Sequence, residues 1–339
     1  MGFVLRPARM DDLPAIYQMA KSTGGGFTNL PPHRPALKAR LQRTVAAFTR
    51  EEDALGDDLF LFILEDIATG EARGTCQIFS QIGTTWPFYN YRLDSFSNYS
   101  KELDRTVSAE MLTLSTDLNG SSEVGGLYLH PNERSTGAGA LLARSRYLFM
   151  KLHRARFADR TIAELRGAHD DTGGSPFWDA IAGRFFGMSF READEFNAIN
   201  GNQFIADLMP KHPIYKALLP PNACAVIGVP HHSGRAAKRM LENEGFIYDR
   251  YIDIFDGGPA MAVATDAIAT LQEARTDAVT SIAAGIEDGA ESIVALGRLG
   301  DFRACYGSVE SSGSSVTVDK ATAEALRITV GDRITHVKR

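Results

Sequence analysis

The chain has 339 residues, more than one core normally holds, and its 44% hydrophobic and 23% charged content is that of an ordinary globular protein of two or three domains. A formal net charge of −6 supplies no basic face for nucleic acid, and no apolar run is long enough to span a membrane, so neither partner is expected. Three scattered cysteines (Cys76, Cys224, Cys305) with no second ligand nearby argue against disulfides and a metal site, and the opening residues lack a signal-peptide layout, which points to a cytoplasmic protein.

Residues 4–8 read as a strand entering a helix capped by Asp11 or Asp12, with Leu13, Ile16, Tyr17 and Ala20 as its apolar stripe. A loop containing Gly24-Gly25-Gly26 follows, then a helix near 35–52. Residues 59–66 and 72–81 form a hairpin about Ala68-Thr69-Gly70. Residues 86–92 are an aromatic-rich loop, and 110–114 are the next strand. Beginning near Glu123, a short apolar strand, a Pro131-Asn132 turn and the string Arg134-x-x-Gly137-x-Gly139 open a helix reaching about Phe157. Two strand–loop–helix units come next, at 162–167 with 176–186 and at 223–229 with 234–243. Beyond Asp256-Gly257-Gly258-Pro259 lie a helix near 265–275 and a β-rich tail. Its strands are expected at 292–296, 302–309, 315–317 and 333–337, with a short helix at 321–326.

The segment around Arg134 carries the most chemistry. It offers an anion a helix N-terminus, free backbone N–H groups and one guanidinium, and Gly137 and Gly139 let the main chain come close to a phosphate. A Gly-x-Gly before a helix is also an ordinary tight turn. The string lacks the third glycine and the acidic residue of a dinucleotide fingerprint, and the Gly-Lys-Ser/Thr of a P-loop. Its spacing resembles the coenzyme A pyrophosphate loop of GNAT-type acyl-CoA N-acyltransferases. That likeness implies a cofactor site at Leu127, Leu129, Arg134, Ser135, Thr136, Gly137, Ala138 and Gly139.

Longer strings are more specific. Asn90-Tyr91-Arg92, Ala163-Glu164-Leu165-Arg166-Gly167, Ser175-Pro176-Phe177-Trp178, Leu208-Met209-Pro210-Lys211-His212-Pro213-Ile214-Tyr215 and Tyr251-Ile252-Asp253-Ile254-Phe255-Asp256-Gly257-Gly258-Pro259 resemble the arginine/ornithine succinyltransferase family. The resemblance runs from about residue 3 to 275 and more loosely through the tail. It implies transfer of succinyl from succinyl-CoA to the α-amine of L-arginine in arginine catabolism, with no metal, in a homo- or hetero-oligomer. It implies an α+β architecture: a duplicated GNAT-like fold with a mixed sheet flanked by helices. Residues 1–200 would form the first unit, 201–275 a partial second unit, and 276–339 a small C-terminal subdomain. It assigns Leu127 to succinyl-CoA and His231 to proton donation, with His232 beside it as the alternative. Gly125-Gly126 departs from the bulkier residues expected there. Two other readings are an ornithine/arginine-specific subunit and a non-catalytic CoA-binding partner.

Acyl transfer to an amine asks for placement and proton handling. A histidine, with an ordinary pKa near 6.5, serves as base or acid, and a backbone N–H around Leu127–Leu129 can hold the oxyanion. The guanidinium of the acceptor asks for a carboxylate, for which Glu164, Asp170, Asp171, Asp253 and Asp256 are candidates. Glu164 and Arg166, two apart on a strand, share a face and can pair with each other or with the two ends of the amino acid. Of the remaining histidines, His212 is expected to be structural and His130 a solvated turn residue. The substrate set is therefore Glu164, Arg166 and Asp256, the proton carrier His231.

Overall fold

Leu59-Phe60-Leu61-Phe62-Ile63-Leu64 is apolar at every position, as a strand covered on both faces must be, and all six side chains are buried. In the computed structural model, which describes residues 2–22, 30–134, 136–170, 173–201, 203–286 and 289–339, this segment lies centrally in a single mixed sheet. The triple-glycine loop, Ser135 and Asp171 lie outside the described residues.

The strands are β1 (Phe3–Pro7), β2 (Leu59–Asp66), β3 (Ala72–Phe79), β4 (Asn90–Ser100), β5 (Arg105–Ser115), β6 (Ser122–Leu129), β7 (Arg160–Glu164) and β8 (Ile214–Tyr215). They continue with β9 (Ile247–Asp253), β10 (Pro259–Ala264), β11 (Arg275–Ala283), β12 (Ala290–Leu296), β13 (Arg303–Ser312), β14 (Ser315–Asp319) and β15 (Arg333–Lys338). Their order is β12-β15-β11-β14-β13-β1-β2-β3-β6-β7-β10-β9-β4-β5-β8. Among the described residues, only β6–β7 and β11–β14 pair in parallel. Because β12 also pairs with β13, the five C-terminal strands close into a small barrel whose interior holds Val279, Val294, Val309, Val316 and Ile334, with Val4 of β1.

The period-2 alternation of β2 splits the main core. Phe60, Phe62 and Leu64 face helix α3 (Ala138–Leu152), which contributes Leu142, Leu148 and Phe149. Leu61 and Ile63 face α1 (Leu13–Ser22) and α2 (Arg34–Thr49), through Ile16, Met19, Leu37 and Leu41. A second core, with Tyr91, Phe177, Trp178, Phe190 and Phe255, gathers short helices. These are α4 (Pro176–Ala180), α5 (Gly183–Phe186), α6 (Phe190–Asn200), α7 (Gln203–Leu208) and α8 (Pro221–Val226). The remaining helices are α9 (Arg235–Asn243), α10 (Ala269–Glu273) and α11 (Lys320–Leu326). No helix among the described residues is long and apolar enough to cross a membrane.

Several local expectations are corrected. The segment expected as a strand at 223–229 is α8, because Pro221 at its first turn fixes a helical φ. The expected helix at 176–186 breaks at Ile181, whose φ of −117° and ψ of −87° leave the helical region. The aromatic loop ends earlier than expected, with Asn90, Tyr91 and Arg92 already in β4, and the strand expected at 110–114 is the inner part of β5. The helix expected at 265–275 shrinks to a 3-10 turn at Thr265–Ala267 and α10.

Candidate functional site

β6 and β7 run in parallel but stay paired only at Ser122↔Thr161 and Glu123↔Ile162. Beyond that point β6 remains on β3 while β7 follows β10, so a wedge opens between their C-terminal ends. The wall formed by β6 carries Leu127 and Leu129, both half-buried against the core under α3.

That wall is irregular for a reason visible in its glycines. Gln77 pairs with Gly125 and Thr75 with Tyr128, so Cys76 opposes two residues and β6 bulges at Gly126–Leu127. Gly126 has φ of +56°, and a Cβ there would lie 2.7 Å from Gln77 Cγ. Thr75 Oγ1 donates to the Gly126 carbonyl at 3.0 Å, and Arg146 Nη1 to the Gly125 carbonyl at 3.3 Å. The missing side chain at Gly126 is thus what the bulge requires.

Past Leu129 the chain makes a 3-10 turn at Pro131–Glu133, passes the exposed Arg134 and Thr136, and enters α3 through Gly137 at φ of +83°. Thr136 Oγ1 donates to Glu133 O at 2.8 Å, and Tyr306 OH donates to Gly137 O at 2.9 Å. Ala138 is buried at the first helical position, with Gly139 half-buried behind it. Gly137 at the N-cap supplies no side-chain acceptor, and the Ala138 N–H donates only at a long 3.4 Å to Thr136 Oγ1, so this helix N-terminus can still turn weakly held donors to an anionic oxygen, with Arg134 beside them.

The opposite wall is the extension of β7. Gly167 bridges Pro230, and the His231 N–H donates to Arg166 O at 2.8 Å, which lays the loop after α8 along this strand end. His231 is half-buried; Ser233 Oγ lies 2.7 Å from its Nδ1 and Ser233 N–H 3.3 Å away. Nδ1 is tied to Ser233, leaving Nε2 for proton exchange. The His232 ring lies against it, tilted by 42° with centroids 4.0 Å apart, but is exposed. Burial first, then Arg166, His232 and His169, hold the proton affinity of His231 below that of an ordinary histidine.

Around this loop sits a cluster of buried charges. Glu164 accepts from Asn90 Nδ2 at 2.9 Å, and no ion pair between Glu164 and Arg166 occurs. Burial, then Asp253, Glu123 and Asp256, push the Glu164 carboxyl well up. The two Asp256 oxygens accept from Gly167 N–H at 2.7 Å and Gly258 N–H at 2.9 Å, so this carboxylate stitches the turn together and adds negative field. Asp253 likewise accepts from Phe255 N–H at 2.7 Å and Asp256 N–H at 2.9 Å, and Asp170 is exposed. Burial, followed by Asp256, pushes the Asp194 carboxyl of α6 up to about 6. Burial also holds the Arg166 guanidinium below its usual range, with Asp256 and Asp194 offsetting part of the effect. His212 is exposed, and His130 accepts from Asn132 N–H within its own turn.

Asn90, His169 and Asp194 were not singled out from sequence. Asn90 lay inside a noted string, whereas His169 and Asp194 sit in a loop and a helix whose patterns carry no chemical signature.

Comparisons with known proteins bear on the whole chain. A family described as arginine N-succinyltransferase beta subunit matches residues 3–270, and one described as its C-terminal domain matches residues 272–338. The chain is 38% identical over 335 residues to an arginine N-succinyltransferase of Salmonella schwarzengrund (strain CVM19633), covering 99% of this chain and 97% of that one. It matches one from Salmonella agona (strain SL483) equally. Among solved structures, subunit AI of the arginine/ornithine succinyltransferase of Pseudomonas aeruginosa superposes with a TM-score of 0.91 at 32% identity. That match covers 99% of this chain and 98% of the other.

Proposed function

The chain belongs to the arginine N-succinyltransferase family, and from that premise we propose that it transfers succinyl from succinyl-CoA to the α-amine of L-arginine. One observation carries the site: the strand that leads into the anion loop and the strand end that holds His231 are the two walls of one wedge.

The pantetheine arm of the thioester lies along the β6 wall past Leu127 and Leu129, where the strand edge facing β7 has lost its partner. The pyrophosphate sits at the N-terminus of α3, against the backbone of Gly137, Ala138 and Gly139, with Arg134 and Thr136 beside it. On the β7 wall, the neutral His231 ring takes a proton from the incoming ammonium. The freed α-amine attacks the thioester carbon and forms a C–N bond. A backbone N–H of the bulged strand near Leu127 holds the oxyanion. As the intermediate collapses, the C–S bond breaks and its electron pair leaves on sulfur. His231 returns a proton to that sulfur from Nε2, and the second amine proton goes to solvent. The lowered proton affinity of His231 suits this cycle, because the resting ring must be neutral. The Glu164 carboxylate, deficient in positive partners, suits the acceptor's guanidinium, with Asp256 adding to the negative field and Arg166 turned to the other end of the amino acid.

We also read the chain as two GNAT-like units, 1–200 and 201–275, followed by a subdomain at 276–339. Closure of β11–β15 on themselves supports the last boundary. The test is release of free CoA thiol from succinyl-CoA, with and without L-arginine, and identification of the acylated nitrogen by NMR. Arginine-dependent release with succinyl on the α-nitrogen is expected. No arginine-dependent thiol at neutral or mildly alkaline pH would overturn the proposal.

A further inference from the structure

Two donors beside His231 stand out because nothing accepts from them. His169 is 97% buried by its side chain (3% exposed), and its Nε2 has no hydrogen-bond partner among the described residues. Arg166 Nε is in the same position. The ring tautomer follows from the neighbour: Arg166 Nη2 lies 2.7 Å from His169 Nδ1 and can only donate, so Nδ1 is bare and Nε2 carries the hydrogen. Both orphan groups are therefore donors, and a buried donor without an acceptor is costly.

The near carboxylate does not relieve them. Asp256 Oδ2 is 3.5 Å from His169 Nε2, beyond a good hydrogen bond, and already accepts from Gly167 N–H. The ring is held in place on its other side by Phe190 of α6, with ring centroids 4.7 Å apart. His231 lies just beyond, 5.8 Å from His169 between centroids, with its backbone anchored on Arg166 itself.

We propose that Arg166 and His169 receive the α-carboxylate of the acceptor amino acid and so deliver its α-amine to His231. This rests on the reading of His231 as proton carrier and of an amino acid as acceptor. The chemistry of the ligand fits the geometry in two ways. A carboxylate has two oxygens for two orphan N–H donors, one of them on a cation whose charge is only partly offset. The α-amine is one carbon from that carboxylate, so a carboxylate fixed beside His231 leaves the side-chain nitrogens out of reach and makes the transfer selective for the α position. Glu164 is two residues before Arg166 in an extended segment, roughly 7 Å away, which matches the span from the carboxylate to the far end of an extended arginine.

The test compares L-arginine with agmatine, which keeps the amine and guanidine but lacks the carboxylate. The purified full chain should prefer L-arginine by roughly 100-fold or more in kcat/KM. In His169→Leu, kcat/KM for L-arginine should fall about 10–100-fold and that for agmatine by much less, so that the preference collapses. If His169→Leu does not fold, Arg166→Gln must show the same collapse. Agmatine used nearly as well as L-arginine by the unmodified protein would overturn the proposal, as would parallel losses on both acceptors in the variants. Absence of any arginine-dependent thiol release would instead refute the reading on which it rests.

Discussion

Replacing Gly126 by alanine tests whether the bulge in β6 is what shapes the cofactor wall. Two costs add. At φ of +56° an alanine sits in the left-handed region, at about 1–2 kcal/mol. Its Cβ also falls 2.7 Å from Gln77 Cγ and 2.8 Å from Gln77 Cδ, and Gln77 is buried to 1% exposure, so the pair must move apart inside a filled space at a further ~1–3 kcal/mol. The sum is about 2–5 kcal/mol, or a fall in melting temperature of roughly 4–10 °C at about 2 °C per kcal/mol. Gly70→Ala is the control. Its φ is +72°, but nothing lies within 4 Å of a Cβ there, so only the backbone cost applies. Thermal unfolding of both variants should separate them by the collision term, and Gly126→Ala alone should raise the KM for succinyl-CoA, because Leu127 is carried by the same bulge. Equal melting temperatures for the two variants, with an unchanged KM, would refute the argument.

His231→Gln should lower kcat by about 10²–10⁴-fold with CoA product inhibition nearly unchanged, while His232→Gln costs little; steady-state kinetics on both variants decides which ring works. The neutral ring is the working base and its proton affinity is depressed, so the rate should fall only as pH drops below the ordinary value of about 6.5, giving an acidic limb displaced downward in the log kcat profile. Arg134→Ala should raise the KM for succinyl-CoA about 3–10-fold, since the group is exposed and its charge is screened, and leave the KM for L-arginine alone. His153 is fully buried, accepts from Leu299 N–H at Nε2 (3.3 Å) and faces Asp53 through Nδ1 (3.1 Å), so the folded ring is neutral and harder to protonate than the unfolded one. Its stabilising share is complete above about pH 6.5 and lost as pH falls; denaturant midpoints of His153→Gln should therefore vary less between neutral and mildly acidic pH.

Elements with a clear period were legible. The apolar run of β2, the hairpin it makes with β3, the strand–turn–helix from β6 to α3, and most of the C-terminal strands lie where the patterns place them, within a few residues. The failures share a cause. Ala223-Cys224-Ala225-Val226-Ile227 is a short apolar run, which periodicity cannot divide between strand and helix, and the deciding signal was the proline pair before it. The outer halves of β4 and β5 are largely polar and exposed, with Phe96 packed on Tyr215 as an exception, so this hairpin shows no clear alternation to read.

The site was legible only as separate pieces, because the property that joins them belongs to the sheet. Nothing along the sequence says that β7 leaves β6 after Glu123↔Ile162, yet that divergence is what sets the anion loop and His231 on facing walls, though they are far apart in the chain. Sequence spacing put Glu164 and Arg166 on one face but left open whether they pair. The structure supplies Asn90 from β4 to Glu164 and His169 to Arg166, so each charge is held apart from the other. Two opposite charges kept from neutralising one another, both half-buried, are what the proposed receptor for a ligand carrying both signs at a fixed separation would need. On that proposal an α-amino acid with a cationic side chain is such a ligand, and one that lost either charge would leave one of these groups without its counter-ion.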